Sequence, residues 1–152
     1  MTNKYYCVDD FRVGAQQRMP RVIFDYVDGA AGFETSSRLN RDMIDQIRLM
    51  PRVLVDIRGR ELAKTFLGRT WRLPFGIAPM GMCNLAWPNT DKAFAAAAVD
   101  HDIPVCLSTF GSSSIEDMGE RASGNGWFQL YVGPSVDDAM DLVQRAKNTG
   151  YE

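Results

Sequence analysis

The segment FGIAPMG, residues 75–81, begins as an apolar strand and ends in Pro79, Met80 and Gly81, where the proline and the glycine present little side chain. A loop of this kind lets a flat ligand lie against the backbone, where free N–H and C=O groups can bond its heteroatoms. An isolated Pro-x-Gly more often forms only a turn. The chemistry of this loop therefore depends on what other segments place beside it.

Two later apolar segments also end in hydrogen-bonding side chains. The segment PVCLSTFG carries Ser108 and Thr109, and the segment GWFQLYVG carries Gln129 and Tyr131. An unpaired buried amide costs about 1–3 kcal/mol, so Gln129 needs a polar partner, either a ligand or a neighbouring backbone group or water. A planar flavin with hydrogen-bonding atoms along one edge is one ligand that fits this set. Ser108 and Thr109 taken alone could equally be turn formers.

A helix is predicted after each of the three apolar segments, at residues 89–103, 112–122 and 135–150. Asn89 or Thr90 can cap the first helix, and Ser135 can cap the third. The serines at positions 112–114 can cap the second, where Ser113 and Glu116 have capping-box spacing. Regular alternation of strand and helix predicts an α/β fold with a parallel sheet, in which the carboxyl ends of the strands share one rim.

The first 73 residues follow a different pattern, with helical segments expected over 8–20 and 21–32, a helical or mixed segment over 33–51, and a short hairpin over 53–73 that turns at Gly68. We therefore divide the chain into an N-terminal helical and hairpin segment, residues 1–73, and three βα units, residues 74–152. About three parallel strands leave an uncovered sheet edge. We expect the chain to be the incomplete N-terminal part of a TIM (β/α)₈ barrel; a doubly wound sheet is the alternative.

Composition narrows the class of protein. A net charge of −2 gives no basic surface for nucleic acid. Cys7, Cys83 and Cys106 are odd in number and widely spaced, which argues against a disulfide framework or a metal site. No segment is apolar over the roughly 18 residues that span a bilayer. We expect a cytoplasmic protein, and peripheral attachment to the inner membrane stays open.

Taken together, these segments resemble the FMN-dependent α-hydroxy-acid dehydrogenases and oxidases, a family that includes L-lactate dehydrogenase, mandelate dehydrogenase and glycolate oxidase. The resemblance covers essentially the whole chain. It rests on FDYVDGAAGFET, PRVLVDI, LPFGIAPMG, LAWP, IPVCLSTF, SSIED and WFQLYV, in the family's order and spacing. LAWP and NTGYE look most like the mandelate and lactate dehydrogenase branch.

The resemblance implies that FMN binds at the carboxyl rim of the strands. The main chain of Pro79, Met80 and Gly81 would line the flavin, and the side chains of Ser108 and Gln129 would hydrogen-bond its ring. Glycine at position 81 favours a dehydrogenase over an oxidase, because dehydrogenases resembling this branch tend to carry glycine there.

The implied substrate is a small (S)-2-hydroxy acid of lactate or mandelate type, which is oxidised to the 2-oxo acid. Tyr26 and Tyr131 would contact it. The electron acceptor is open between a quinone, a cytochrome and oxygen, and the full-length protein is expected to be a homo-oligomer. The family's histidine base and arginine clamp match no motif here, and His101 is expected at the surface. We therefore expect the catalytic residues beyond residue 152 and an inactive fragment.

Two other functions stay open on the residues alone. One is a flavin-free, phosphate-binding TIM-barrel enzyme. The other is an interaction module whose exposed sheet edge needs a partner.

Overall fold

The computed structural model describes residues 5–151. It forms two compact units, one ending at Gly59 and the other beginning at Arg60. The hairpin predicted within residues 53–73 thus belongs to the same unit as the βα elements. None of the helices within residues 5–151 has the length and apolar character that crossing a bilayer requires.

The first unit contains three helices, as predicted: α1 (Val8–Arg18), α2 (Arg21–Asp28) and α3 (Thr35–Asp45). Helix α1 stops before Pro20 because a proline disfavours helical backbone in the residue before it, and Met19 is extended. Gly29 follows the end of α2. Arg12 and Asp28 form an ion pair between α1 and α2.

The second unit opens with an antiparallel hairpin of β1 (Lys64–Phe66) and β2 (Arg69–Trp71). Its two loop residues, Leu67 and Gly68, both have positive φ, 50° and 79°. This backbone matches the right-handed twist of the flanking strands in a two-residue loop. The predicted turn at Gly68 is confirmed.

The βα elements follow in the order α4 (Thr90–His101), β3 (Val105–Ser108), α5 (Ile115–Ala122), β4 (Gly126–Gln129) and α6 (Val136–Asn148). Strands β3 and β4 are parallel, and their register pairs Val105 with Gly126 and Ser108 with Gln129. The first predicted strand is reduced to a single parallel bridge between Ile77 and Val105.

Glycine and proline explain why the first segment does not form a full strand. A Cβ on Gly76 would lie 2.5 Å from Cγ and 2.6 Å from the backbone O of Pro104. The chain at position 76 therefore approaches Pro104 more closely than a residue with a Cβ could. Pro74 and Pro79 flank the bridge and have no N–H to donate to a ladder. Only Ile77 pairs, donating to Pro104 O at 2.8 Å.

Polar side chains accept hydrogen bonds from backbone N–H groups in the first turns of α6 and α4. Ser135 caps α6 as predicted, and its Oγ accepts a hydrogen bond from the backbone N–H of Asp138 at 3.2 Å. Helix α4 begins after Asn89, as predicted, but the Asn89 side chain makes no cap. Oδ1 of the more distant Asn84 instead accepts from the N–H of Thr90 at 3.0 Å.

A serine caps α5, as predicted, but the predicted capping box of Ser113 with Glu116 is wrong by one residue. Ser114 is the cap, and its Oγ accepts from the N–H of Asp117 at 3.1 Å. The N–H of Ser113 is bonded to the Asp91 carboxylate at 2.8 Å, which holds Ser113 outside the helix. A contact between distant parts of the chain therefore decides where α5 starts.

One face of the short sheet packs against the helices. The buried core there contains Ala95, Ala98, Ile103, Val105, Leu107, Ile115, Met118, Ala122, Ala146 and Tyr151. The hairpin packs at the amino ends of the strands, where Arg69 donates to Gly124 O at 2.6 Å and to Oδ1 of Asn125 at 2.9 Å. These hairpin contacts lie at the amino ends of β3 and β4, away from the carboxyl ends where the predicted site residues stand.

Candidate cofactor site at the strand ends

Alternate residues of β3 and β4 form a second face, turned away from the helices. Because strand side chains alternate and the register is fixed, Cys106 lies beside Trp127, and Ser108 lies beside Gln129. Cys106, Trp127 and the segment 74–79 line a concave apolar surface with a volume of about 390 Å³. Ser108 and Gln129 stand at the carboxyl end of this face.

Ser108 fixes the orientation of the Gln129 amide. Oγ of Ser108 donates to Oε1 of Gln129 at 2.9 Å and accepts from the N–H of Phe110 at 3.2 Å. Within residues 5–151, Nε2 of Gln129 has no hydrogen-bond partner. The expected polar partner of Gln129 is thus met on its oxygen side, and its two N–H groups can donate to a ligand.

Thr109 continues the contact between the two strands past their ends. Its N–H and its Oγ1 both donate to the carbonyl of Gln129, at 3.0 and 2.6 Å. Oγ1 of Thr109 also accepts from the N–H of Tyr131 at 3.0 Å. These bonds place Tyr131 at the rim, with its side chain exposed and its ring centroid 5.2 Å from that of Phe110.

The loop after Ile77 reaches the same rim. The N–H of Met82 donates to the carbonyl of Phe110 at 2.8 Å. A Cβ on Gly81 would lie 3.2 Å from Cβ of Phe110, so the two segments are in contact. Pro79, Met80 and Gly81 are exposed, and within residues 5–151 the N–H groups of Met80 and Gly81 have no hydrogen-bond partner.

The structure therefore brings six of the seven predicted site residues to one rim of one unit: Pro79, Met80, Gly81, Ser108, Gln129 and Tyr131. Tyr26 belongs to the first unit, where it lies on α2 with 64% of its surface exposed, and its contact with substrate stays a prediction. His101 is the last residue of α4 and is exposed, as predicted. It precedes the amino end of β3, opposite to the rim.

Sequence reasoning missed Phe110, which touches both neighbouring loops while 62% of its surface is exposed. A large aromatic residue directly after the polar end of a strand is the signal that could have found it. It also missed Asp91, a first-turn acidic residue that is almost fully buried. Nothing in the local sequence of α4 marks Asp91 as buried.

The cysteines of this unit are not activated as nucleophiles. Burial raises the pKa of the Cys83 thiol, and the nearby Asp91 carboxylate raises it further. Burial also raises the pKa of Cys106. Both thiols are protonated at neutral pH, so neither supplies the thiolate that nucleophilic catalysis needs. Within residues 5–151 no cluster of metal-ligating side chains occurs.

The donor set at the rim fits a flavin. The N–H groups of Met80 and Gly81 and the amide nitrogen of Gln129, which have no partner within residues 5–151, are hydrogen-bond donors. Along the edge of an oxidised flavin, O2, O4 and N5 are acceptors, and the N3–H group is a donor. The absence of a side chain at Gly81 leaves its main chain open to a flat ring. Residues that can hold FMN are therefore present on this chain.

Comparison with known sequences points to the same cofactor. The sequence pattern of a family described as FMN-dependent dehydrogenase matches residues 15–152. The chain is 38% identical over 151 residues to (S)-mandelate dehydrogenase of Pseudomonas putida and 34% identical over 141 residues to L-lactate dehydrogenase of Caulobacter vibrioides. These alignments cover 99% and 93% of the chain but only 38% and 37% of the two relatives.

Solved structures that resemble this chain include proteins of the same kind as the sequence relatives. A monotopic membrane protein, (S)-mandelate dehydrogenase, matches with a TM-score of 0.91 at 38% identity, over 98% of this chain and 40% of that one. A mandelate oxidase matches with a TM-score of 0.90 at 32% identity, over 97% of this chain and 43% of that one. The predicted fold, the N-terminal part of a TIM barrel, is confirmed.

Proposed function

The chain belongs to the FMN-dependent dehydrogenase family, and from this premise we propose that it supplies the first flavin-binding part of an enzyme that oxidises a small (S)-2-hydroxy acid to the 2-oxo acid. The substrate is of the lactate or mandelate type, which the names of two similar relatives support. The observation that carries the proposal is the Gln129 amide, whose oxygen is fixed by Ser108 and whose nitrogen has no partner within residues 5–151.

Each residue of the rim has a role in this proposal. FMN, when bound, supplies the acceptor for the two electrons that leave the substrate. Gln129 donates to an acceptor atom of the ring, and Ser108 holds the amide in that orientation. The free N–H groups of Met80 and Gly81 donate to the same edge of the ring, and Pro79 contributes main-chain contact without an N–H of its own.

Tyr131 is proposed to bind the substrate. Its phenolic O–H can donate to the substrate carboxylate or hydroxyl, while its ring packs beside Phe110. The bond between its N–H and Thr109 holds the backbone of Tyr131 at the rim. Tyr26 is assigned to the substrate by the family resemblance.

We propose further that the catalytic unit contains βα units beyond those described. The one histidine of the chain, His101, stands before the amino end of β3 and cannot act as a base at the rim. The relatives also extend well beyond the region they share with this chain. A base and a carboxylate clamp must therefore come from other residues, and the 152-residue chain by itself is expected to oxidise no 2-hydroxy acid.

An anaerobic titration tests the proposed function. Full-length protein loaded with FMN is mixed with (S)-mandelate or (S)-lactate, and the flavin absorbance is followed. We expect the absorbance to bleach with at least one of these acids, and (R)-mandelate serves as the matched control that leaves it unchanged. A protein that binds FMN but is bleached by no (S)-2-hydroxy acid contradicts the proposal, and a protein without flavin supports a flavin-free enzyme.

The partners and location follow as parts of the same proposal. The electron acceptor is a quinone, a cytochrome or oxygen, with a dehydrogenase favoured by Gly81. The full-length protein is a homo-oligomer that is cytoplasmic or peripheral on the inner membrane. The monotopic membrane protein among similar structures is the reason to test both locations.

A further inference from the structure

A buried carboxylate lies next to the candidate site without touching it. Asp91 is the second residue of α4 and only 3% exposed. Its Oδ2 accepts hydrogen bonds from the N–H groups of Ser112 and Ser113, both at 2.8 Å. No ion pair to Asp91 occurs within residues 5–151. A buried charge is tolerated only when hydrogen bonds replace its water, so these two bonds hold the loop after β3 firmly.

The same loop is tied to the loop after Ile77 and back to α4. Oγ of Ser112 accepts from the N–H of Asn84 at 3.1 Å. Oδ1 of Asn84 accepts from the N–H of Thr90, the first residue of α4, at 3.0 Å. The bonds of Asp91, Ser112 and Asn84 therefore form a closed ring through the start of α4 and both loops.

This ring extends to the main chain that faces the candidate flavin site. Met82, two residues before Asn84, donates to Phe110 O at 2.8 Å. The thiol of Cys83 donates to Met80 O at 3.5 Å, and the neighbouring Asp91 carboxylate contributes to the raised pKa of that thiol. A shift of the loop at Asn84 would therefore move Met80 and Gly81.

We propose that Asp91 is a positioning residue that, by fixing Ser112 and Ser113, sets the place of the Met80 and Gly81 main chain at the FMN site. This inference rests on the proposed function only for the identity of the ligand. The coupling between the two loops is a property of the chain itself.

Substitutions of Asp91 in the full-length protein test the inference by FMN affinity. Asp91→Ala removes the acceptor of two N–H groups, and we expect the FMN dissociation constant to rise about tenfold. Asp91→Asn keeps an acceptor oxygen but loses the charge, and we expect a rise of about threefold. Asp137→Ala, at the second position of α6 and exposed, is the matched control and leaves the affinity unchanged.

Hydrogen exchange separates positioning from general loss of stability. Asp91→Ala should speed exchange of the Met82 and Asn84 amides, while the hairpin amide of Trp71 keeps its rate. Slower exchange at Asn84 in Asp91→Asn than in Asp91→Ala is the expected rescue. Unchanged rates at Met82 and Asn84, or equal acceleration at Trp71, overturn the inference.

The affinity data distinguish the two proposals. If the unsubstituted protein binds no FMN, the proposed function fails, and the FMN part of this inference fails with it. If the unsubstituted protein binds FMN and the Asp91 variants bind it equally well, only this inference fails. Should Asp91→Ala not fold, Asp91→Asn decides alone, and wild-type affinity in that variant overturns the inference.

Discussion

The hydroxyl of Ser108 donates a 2.9 Å hydrogen bond to the amide oxygen of Gln129, across the carboxyl ends of two parallel strands. This bond uses one lone pair of the amide oxygen, and within residues 5–151 the amide nitrogen has no hydrogen-bond partner. An amide oriented in this way is prepared to bind an acceptor atom of a ligand, and the proposed FMN site depends on it.

Gln129→Leu should weaken FMN binding, because it removes the free donor while keeping a side chain of similar size. A lost hydrogen bond of ordinary strength raises the dissociation constant about tenfold. Ser108→Ala should have a smaller effect, since the amide remains but is no longer oriented. The measurement is quenching of FMN fluorescence, with Gln144→Leu on the exposed face of α6 as control. Equal affinities for Gln129→Leu and the control would remove Gln129 from the site.

Gly81→Ala should crowd Phe110. The new Cβ would lie 3.2 Å from Cβ of Phe110, and Gly81 has no positive φ that alanine would resist. We expect a loss of about 1 kcal/mol in the free energy of unfolding, measured by urea denaturation. In a Phe110→Gly background the same substitution should cost less, because the Cβ of residue 110 that the new methyl group would crowd is absent. Identical costs in both backgrounds would show that the two residues are independent.

The pair of Glu116 and Arg145 should make stability depend on acid. Hydrogen bonds from Arg145, at 2.8 and 3.0 Å, lower the pKa of Glu116 from 4.5 to about 2. A carboxyl whose pKa is lower in the folded state stabilises the protein above its unfolded pKa and loses that effect as the pH falls toward the folded pKa. Between these two values the unsubstituted protein should lose more stability than Glu116→Gln does. Parallel stability curves for the two proteins would contradict the assignment.

Substitution at the opposite end of the strands should affect stability alone. Arg69 bonds Gly124 and Asn125 and lies 4.1 Å above the Trp71 ring. Arg69→Lys cannot reproduce this planar fork, and we expect a loss of about 1–2 kcal/mol in the free energy of unfolding. FMN affinity, measured on the folded protein, should stay at the wild-type value. A matching fall in affinity would mean that the two ends of the strands are coupled.

Local chemistry is what the sequence predicts well. The turn at Gly68 and the cap at Ser135 depend on one or two neighbouring residues, and both occur as predicted. The rim was also predictable, because the carboxyl ends of parallel strands share one edge of a sheet. A pattern that spans only a few residues is sufficient for each of these features.

Contacts between distant residues are what the sequence does not reveal. Ser114, not Ser113, caps α5 because Asp91 holds the N–H of Ser113. The first strand shrinks to one bridge because Gly76 must pass within contact of Pro104. Neither partner is visible in the local pattern, since each lies more than twenty residues away in the chain.

A crystal structure of the full-length protein with FMN tests the central claim most directly. We predict that the flavin ring lies at the carboxyl ends of β3 and β4, with Nε2 of Gln129 and the N–H groups of Met80 and Gly81 within hydrogen-bond distance of its edge. A flavin bound elsewhere, or one that leaves these three donors facing solvent, would contradict the account.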